Sequence, residues 1–473
     1  MRRMSPEARV LALTSVSALM ILLDALVVTT ALSTIRTDLG ASVETLEWTV
    51  AAFALPFAAL LMTASALGER YGRRRMLTAG LAVFTLASAA CALAPGVGAL
   101  IAARAVQGAG SALVMPHAMA LLAAAYPAER RARALGIFSG VTGLATLGGP
   151  LVGGAVVQGL AWQWIFWLNV PLGLALIPLV RAGVPESRGA ARRMDPGGVV
   201  LVTSAALGLV WGLVRGNAAG WDSPEVAGAL VAGAVLLAAF AGWERRAAEP
   251  MLPMRFFRVR AFAAGNAAGF LLYAAIFGAA FFLAQFLQNG LGYGPLGTGL
   301  RLAPWTVTLF LVAPLAGRLV ARVGERPLIT GGLLLEAAGF AWIAVVASPD
   351  MAYPELVAPL VLAGVGVSLA MPAAQNAVIG AVPAIGVASG TFNTLRQFGG
   401  AFGIAVTAAV FAASGGYGSP DDFAAGFVPA TWVMAGLAVA AALAGLGTSG
   451  RRAPSPAPVP GGVTAVTGAA VRR

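Results

Sequence analysis

The chain has no lysine, one histidine and one cysteine, and only 11% of its residues are charged. Each scarcity excludes something. The lone cysteine, Cys91, cannot form an intrachain disulfide, and in its apolar run it reads as packing. A single histidine, His117, beside a single cysteine argues against a metal centre or a Ser–His–Asp hydrolase, and no cofactor is called for. No GxxxxGK[ST] loop occurs, so direct drive by ATP is disfavoured. Charge this sparse also separates the chain from soluble domains, of which about 25% of residues are charged.

What is present is apolar. Hydrophobic residues make up 59% of the sequence and fall in blocks of about 20, the length at which a helix spans a bilayer core. Fourteen such runs lie near 11–32, 48–67, 76–94, 98–122, 134–157, 162–180, 196–214, 225–243, 262–287, 298–317, 327–347, 356–379, 386–412 and 429–448. The thirteenth is the weakest, because Arg396 and several glycines interrupt it. The expected fold is therefore an all-α polytopic membrane protein. After the last run comes "RRAPSPAPVPGG", a segment too rich in proline and glycine to build a core and expected to be disordered.

The net charge of +12 sits in short loops rather than in a basic domain, which argues against nucleic acid. Arginines cluster in "ERYGRRR", "ERRARA", "RAGVPESRGAARR", "ERRAAEPMLPMRFFRVR" and "GRLVARVGERP", all on one side of the alternating runs. The positive-inside rule makes that side cytoplasmic and places both termini there, as an even number of spans requires. The sequence also echoes itself. "SALGERYGRRR" at 65–75 returns as "GRLVARVGERP" at 317–327, and "GAGSALVMP" at 108–116 returns as "GVGVSLAMP" at 364–372, at nearly the same separation. The expected domains are a six-helix half (1–181), a two-helix segment with its linkers (182–260), a second six-helix half (261–448) and a tail (449–473). Paired halves around a midplane site are the usual architecture of secondary transport.

These segments resemble the major facilitator superfamily, and within it the 14-helix drug:proton antiporter branch. The loop after the second run is similar to the family's Gly-x-x-x-Asp-Arg-x-Gly-Arg-Arg, with Glu69 in the acidic place and Arg70, Gly72, Arg73 and Arg74 matching, while Ser65 replaces the first glycine. "RAVQGAG" matches the fourth-helix motif through Arg104, Gln107, Gly108 and Gly110. "GIFSGVTGLATLGGPLVGG" resembles the antiporter motif, with Gly136, Gly149, Pro150, Gly153 and Gly154 in place and Ala145 at one glycine position. "WQWIFWLNVPLG" is close to the sequence that opens the branch's sixth helix, and "LLDALVVTTAL" resembles its first-helix motif, so that Asp24 matches the branch's membrane aspartate.

The resemblance implies roles, and physical chemistry supplies a second reading for each. Asp24 lies about halfway along a run, where ionisable groups are costly and usually face the bundle interior or a water path. Low dielectric disfavours the charged form of a carboxylate and a nearby cation favours it, so a group held between the two can gain and lose a proton as access alternates. The second reading is a structural carboxylate tied to neighbouring hydroxyls. Arg104 is implied in proton relay or core organisation, or it snorkels to the interface. By resemblance, Glu69, Arg70, Gly72 and Arg73 form a latch between the halves. Gly72 permits a tight turn and Glu69 accepts hydrogen bonds from helix-end amides or from Arg70, whereas topology marking alone would explain Arg73 and the arginines that follow it. The glycines around Pro150 bend the fifth helix against proton leak, or simply allow a tight helix contact.

Glu336 is the second carboxylate deep in an apolar run and a candidate for a proton or a cationic substrate. Gln107, Arg396 and Gln397 are candidates for a gate. His117 is expected to be a packed core histidine, since the family's motifs do not call for it. The function implied is proton-coupled export of a hydrophobic or singly charged drug, antibiotic or secondary metabolite by a bacterial inner-membrane monomer. Its partners are then protons, that small molecule and membrane lipids. Uptake of a small metabolite by the same fold is the alternative.

Overall fold

The computed structural model describes residues 5–40, 43–188 and 195–449. The expected disordered tail from residue 450 on, and residues 189–193 at the end of the arginine segment, lie outside the described residues. The described chain is helical. The first half comprises α1 (Pro6–Leu39), α2 (Val43–Tyr71), α3 (Arg73–Ala92), α4 (Val97–Ala125), α5 (Ala128–Gly159), a single turn α6 (Trp164–Trp167) and α7 (Asn169–Gly183). Then come α8 (Pro196–Ala219) and α9 (Pro224–Glu244). The second half comprises α10 (Arg260–Gln285), a short α11 (Pro295–Arg301), α12 (Ala303–Val323), α13 (Glu325–Val346), α14 (Pro354–Ala381), α15 (Ile385–Ser414) and α16 (Pro420–Gly445). Thirteen described stretches are long and apolar enough to cross a membrane. The glycine-rich α5, at 32 residues, is a further long helix of the bundle.

The sixth run forms one candidate span, Trp164–Gly183, in which regular helix lapses for the single residue Leu168 between α6 and α7 while its backbone stays helical (φ −59°, ψ −32°). Pro171 lacks the N–H that would bond the carbonyl of Trp167, which loosens the helix there. The thirteenth run, for all its glycines and Arg396, is a continuous helix of 30 residues. Its glycines do not interrupt it but admit neighbours: a Cβ at Gly399 or Gly403 would fall on the backbone carbonyls of Phe270 or Ala274 in α10.

The halves repeat one plan. α3 packs on α4 as α13 packs on α14, α2 on α4 as α12 on α14, and α1 on α5 as α10 on α15. The positive-φ turn at Gly72 (φ 108°) between α2 and α3 recurs at Gly324 (φ 84°) between α12 and α13. Lipid tails are as apolar as leucine, so helices in a membrane associate through close packing of small residues. Gly80 and Gly110 serve α3 and α4, while Gly332 and Gly366 do the same for α13 and α14. Large apolar side chains that the bundle leaves uncovered, such as Leu86 and Val345 at 72% exposure each, form its lipid-facing surface. α8 and α9 pair with each other, and α8 also leans on α2 and α15.

The polar contacts between halves gather toward the arginine-rich end. The Ser65 hydroxyl donates to the Gly386 carbonyl (2.7 Å), and that of Ser389 to the Pro116 carbonyl (2.8 Å). The Asn393 amide meets the Met119 sulfur at 3.5 Å, and Ser139 meets Gln375 at 3.3 Å. α5 and α12 cross beside them, where a Cβ on Gly136 or Gly317 would strike the facing backbone of Ala313 or Ala132.

Candidate functional site

A buried polar network occupies the first half. α1 supplies Asp24, α3 Ser88, α4 Arg104 and Gln107, and α7 Asn169. Arg104 Nη1 donates to Asp24 Oδ2 at 2.6 Å and to Gln107 Oε1 at 2.6 Å, and Arg104 Nε donates to the Thr49 carbonyl at 3.2 Å. Asp24 Oδ1 accepts from Asn169 Nδ2 (2.6 Å) and from Gln107 Nε2 (3.0 Å), and the latter nitrogen also reaches Ser88 Oγ at 2.8 Å. The Arg104 guanidinium lies 4.3 Å from the centre of the Phe53 ring. The side chains of Asp24 and Arg104 are 0% and 1% exposed.

The local chain explains why these groups meet. Arg104 and Gln107 are three residues apart on one helix face, so a single carboxylate can bond both. The one-residue lapse before α7 puts Asn169 at the start of that helix, next to α1. Gly149 lets α5 press against α1 beside Asp24, since a Cβ there would come within 2.6 Å of Leu26 Cβ. Every contact to Asp24 treats it as an acceptor, the role of an ionised carboxylate. A buried pair of this kind is tolerable only when geometry and hydrogen bonds satisfy both partners, and here they do. Snorkelling, the second reading of Arg104, is overturned because its charge is neutralised inside the bundle. Gln107, which the sequence groups with a gate, lies in this network.

The second constellation lies at the arginine-rich end. Glu69 accepts from Arg73 Nε at 2.7 Å and not from Arg70, whose guanidinium lies over the Tyr71 ring. The Glu69 carboxylate occupies the place that a Cβ of Gly386 would take, against the first turn of α15. Helix N-termini favour negative charge, so this carboxylate ties α2 of one half to α15 of the other. Arg73 is not a surface charge. It is 5% exposed and donates to Ser187 Oγ at 2.9 Å. Glu186 accepts from the backbone N–H of Arg74 at 2.9 Å and lies beneath Gly72, where an added Cβ would come within 2.7 Å of its carboxyl carbon. Sequence reading missed Glu186 and Ser187, although a lone acid inside "RAGVPESRG" was a visible signal. A cavity of about 410 Å³ opens beside this constellation, bounded by Ser65, Glu69, Arg70, Arg73, Arg255 and Ile385.

The other candidates stand apart. Glu336 is fully buried on α13 where Gly366 of α14 abuts its backbone, and neither carboxyl oxygen has a hydrogen-bond partner. His117 bonds the Leu113 carbonyl and fills the space over Gly68 of α2, a packing role. In α5, Gly153 is buried and Gly154 has open space where a Cβ would stand, while the Pro150 side chain lies outside the described set. Arg396 is buried against Tyr273 of α10, and Gln397 beside it is half-buried.

The profile of the Major Facilitator Superfamily matches residues 14–262 and 265–469, and the chain belongs to that family. It is 36% identical to the multidrug resistance protein Stp of Mycobacterium tuberculosis over 404 residues, 85% of this chain and 75% of that protein. It is 34% identical to the tetracenomycin C resistance and export protein of Streptomyces glaucescens over 420 residues, 88% of this chain and 78% of that one. The solved proton:xylose symporter XylE shares the fold, with a TM-score of 0.66 at 14% identity over 92% of this chain and 94% of that one. The protein is a multi-pass inner-membrane member of a family of secondary transporters rather than an enzyme.

Two outcomes test the geometry. Arg104→Gln leaves Asp24 buried without its cation and should cost about 3–5 kcal/mol, whereas Arg104→Gln combined with Asp24→Asn should regain most of it. Thermal unfolding in detergent measures both, and an equal loss in the two proteins would contradict the pairing. Gly72→Leu forces a branched side chain into a backbone region that costs about 1–3 kcal/mol for any residue but glycine. It should insert at normal levels and lose transport, whereas unchanged transport at matched expression would remove the latch.

Proposed function

We propose that the protein is a proton-coupled antiporter that exports a hydrophobic or singly charged drug, antibiotic or secondary metabolite. The observation that carries this reading is the sealed Asp24–Arg104–Gln107–Asn169 network. Similarity to proteins named for multidrug resistance and for tetracenomycin C export supports a drug-like substrate and the outward direction. The proposed topology has fourteen spans with both termini cytoplasmic, α8 and α9 being the two added to the twelve of the halves, and the domain limits those given above. The proposed functional unit is the monomer.

Arg104 effectively cannot shed its charge, so only Asp24 can change the charge of the network. A proton on Asp24 removes the countercharge of Arg104 and adds a buried O–H donor to a network in which that carboxyl only accepts. The arrangement with Asp24 charged and the arrangement with it protonated therefore favour different packings of α1, α4 and α7. A proton shifts the balance between two conformations only by its differential affinity for them, and coupling through Asp24 requires that difference between this sealed arrangement and the opposite one. With Asp24 shut away from water as seen here, proton exchange belongs to the opposite conformation, in which the Glu69 latch between α2 and α15 is released. Glu336 is the second candidate for the coupling carboxylate.

Asp24→Asn keeps the size and hydrogen bonding but cannot exchange a proton. In vesicles with an imposed pH gradient this variant should fold, lose uphill export and retain downhill movement of a neutral substrate. Concentration of substrate by the variant at close to the wild-type rate would make Asp24 structural and move the coupling role to Glu336.

A further inference from the structure

Three described arginines are buried, Arg73 and Arg104 in the first half and Arg396 in the second, and they are treated differently. Arg104 is neutralised by Asp24, whereas Arg396 has no carboxylate partner among the described residues. Arg396 lies eleven residues into α15, about 16 Å along the helix at 1.5 Å per residue and so well within a hydrocarbon core of about 30 Å. It is 8% exposed, its Nε is buried without an acceptor, and its guanidinium stands 4.7 Å from the centre of the Tyr273 ring. The Tyr273 hydroxyl is likewise buried without a partner. The guanidinium thus lies over the ring whose hydroxyl is the second unsatisfied group.

Their place in the fold says what they meet. Ser389 and Asn393 of α15 make contacts to α4 across the halves. Arg396 follows them at helical spacing on the same face, one turn further from the arginine-rich end. It follows the contacts between the halves along this face of α15, with Tyr273 of α10, in its own half, beside it. A guanidinium cannot be neutralised by losing its proton, and a cation at this depth is costly until it is paired.

We propose that Arg396, with the Tyr273 hydroxyl, is the anion-recognition group of the transport path, and that the exported amphiphile carries one ionised acid of the carboxylate class. This rests on the export reading and narrows its substrate. The guanidinium fork binds a carboxylate through two N–H groups, and the phenol supplies a third donor.

The test uses the full-length purified protein in lipid nanodiscs without a pH gradient, with pyrenebutyrate and its methyl ester as probes and energy transfer from tryptophan to pyrene as the signal. Wild type should bind the carboxylate at least tenfold more tightly than the ester. Arg396→Gln should erase that preference and leave ester binding unchanged, Arg396→Lys should keep most of it, and Tyr273→Phe should reduce it severalfold. No saturable binding of pyrenebutyrate to the wild type overturns the proposal, as does a full carboxylate preference in Arg396→Gln. Should Arg396→Gln fail to fold, the same preference undiminished in Tyr273→Phe overturns the paired-donor site. Because no gradient is present, either result leaves proton coupling through Asp24 standing, and a failure of that coupling leaves the charge preference readable.

Discussion

A carboxylate and a guanidinium bonded at 2.6 Å in the middle of an apolar bundle set the terms for the first half of this protein. Neither charge is tolerable there alone, and together they need every remaining polar valence filled. Gln107, Asn169, Ser88 and the Thr49 carbonyl fill those valences, drawn from four helices that must be held in register to do so. The one-residue lapse before Asn169 and the close approach of α5 at Gly149 serve the same end. The single cysteine stands at the edge of the network, with its sulfur 3.8 Å from Gln107 Oε1.

The second constraint is how two such halves meet without a hydrophobic drive to hold them. Small residues bring the backbones together at Gly136 and Gly317, and a few polar contacts lock the arginine-rich end. Glu69 joins the two scales. It bonds Arg73 within its own half and lies against the N-terminus of α15 in the other.

Much of this was legible in the sequence, and for a physical reason. An ionisable residue in a run that should span a membrane is conspicuous by its cost, so Asp24, Arg104 and Glu336 announce themselves, as do the arginine loops and the repeated motifs. Their partners do not. Asn169, Ser88 and Thr49 are ordinary polar residues whose significance arises only when α7, α3 and α2 are brought to α1 and α4. Gln107 is conspicuous by its motif, but its bond to Asp24 becomes visible only once α1 is placed. The one-residue lapse before α7 is legible in Pro171. Arg396 seemed to weaken its helix. It is instead an unpaired cation in a continuous one, a distinction that needs the absence of a neighbouring acid in three dimensions.

The account stands on Asp24 being the group whose protonation changes the network around Arg104. Infrared difference spectra of the protein in lipid, recorded between acid and neutral pH, observe that event directly. The wild type should show the carbonyl band of a protonated buried carboxylic acid together with a shift in the guanidinium bands, and both should vanish in Asp24→Asn. A carboxylic-acid band that persists unchanged in Asp24→Asn and disappears in Glu336→Gln would contradict the account.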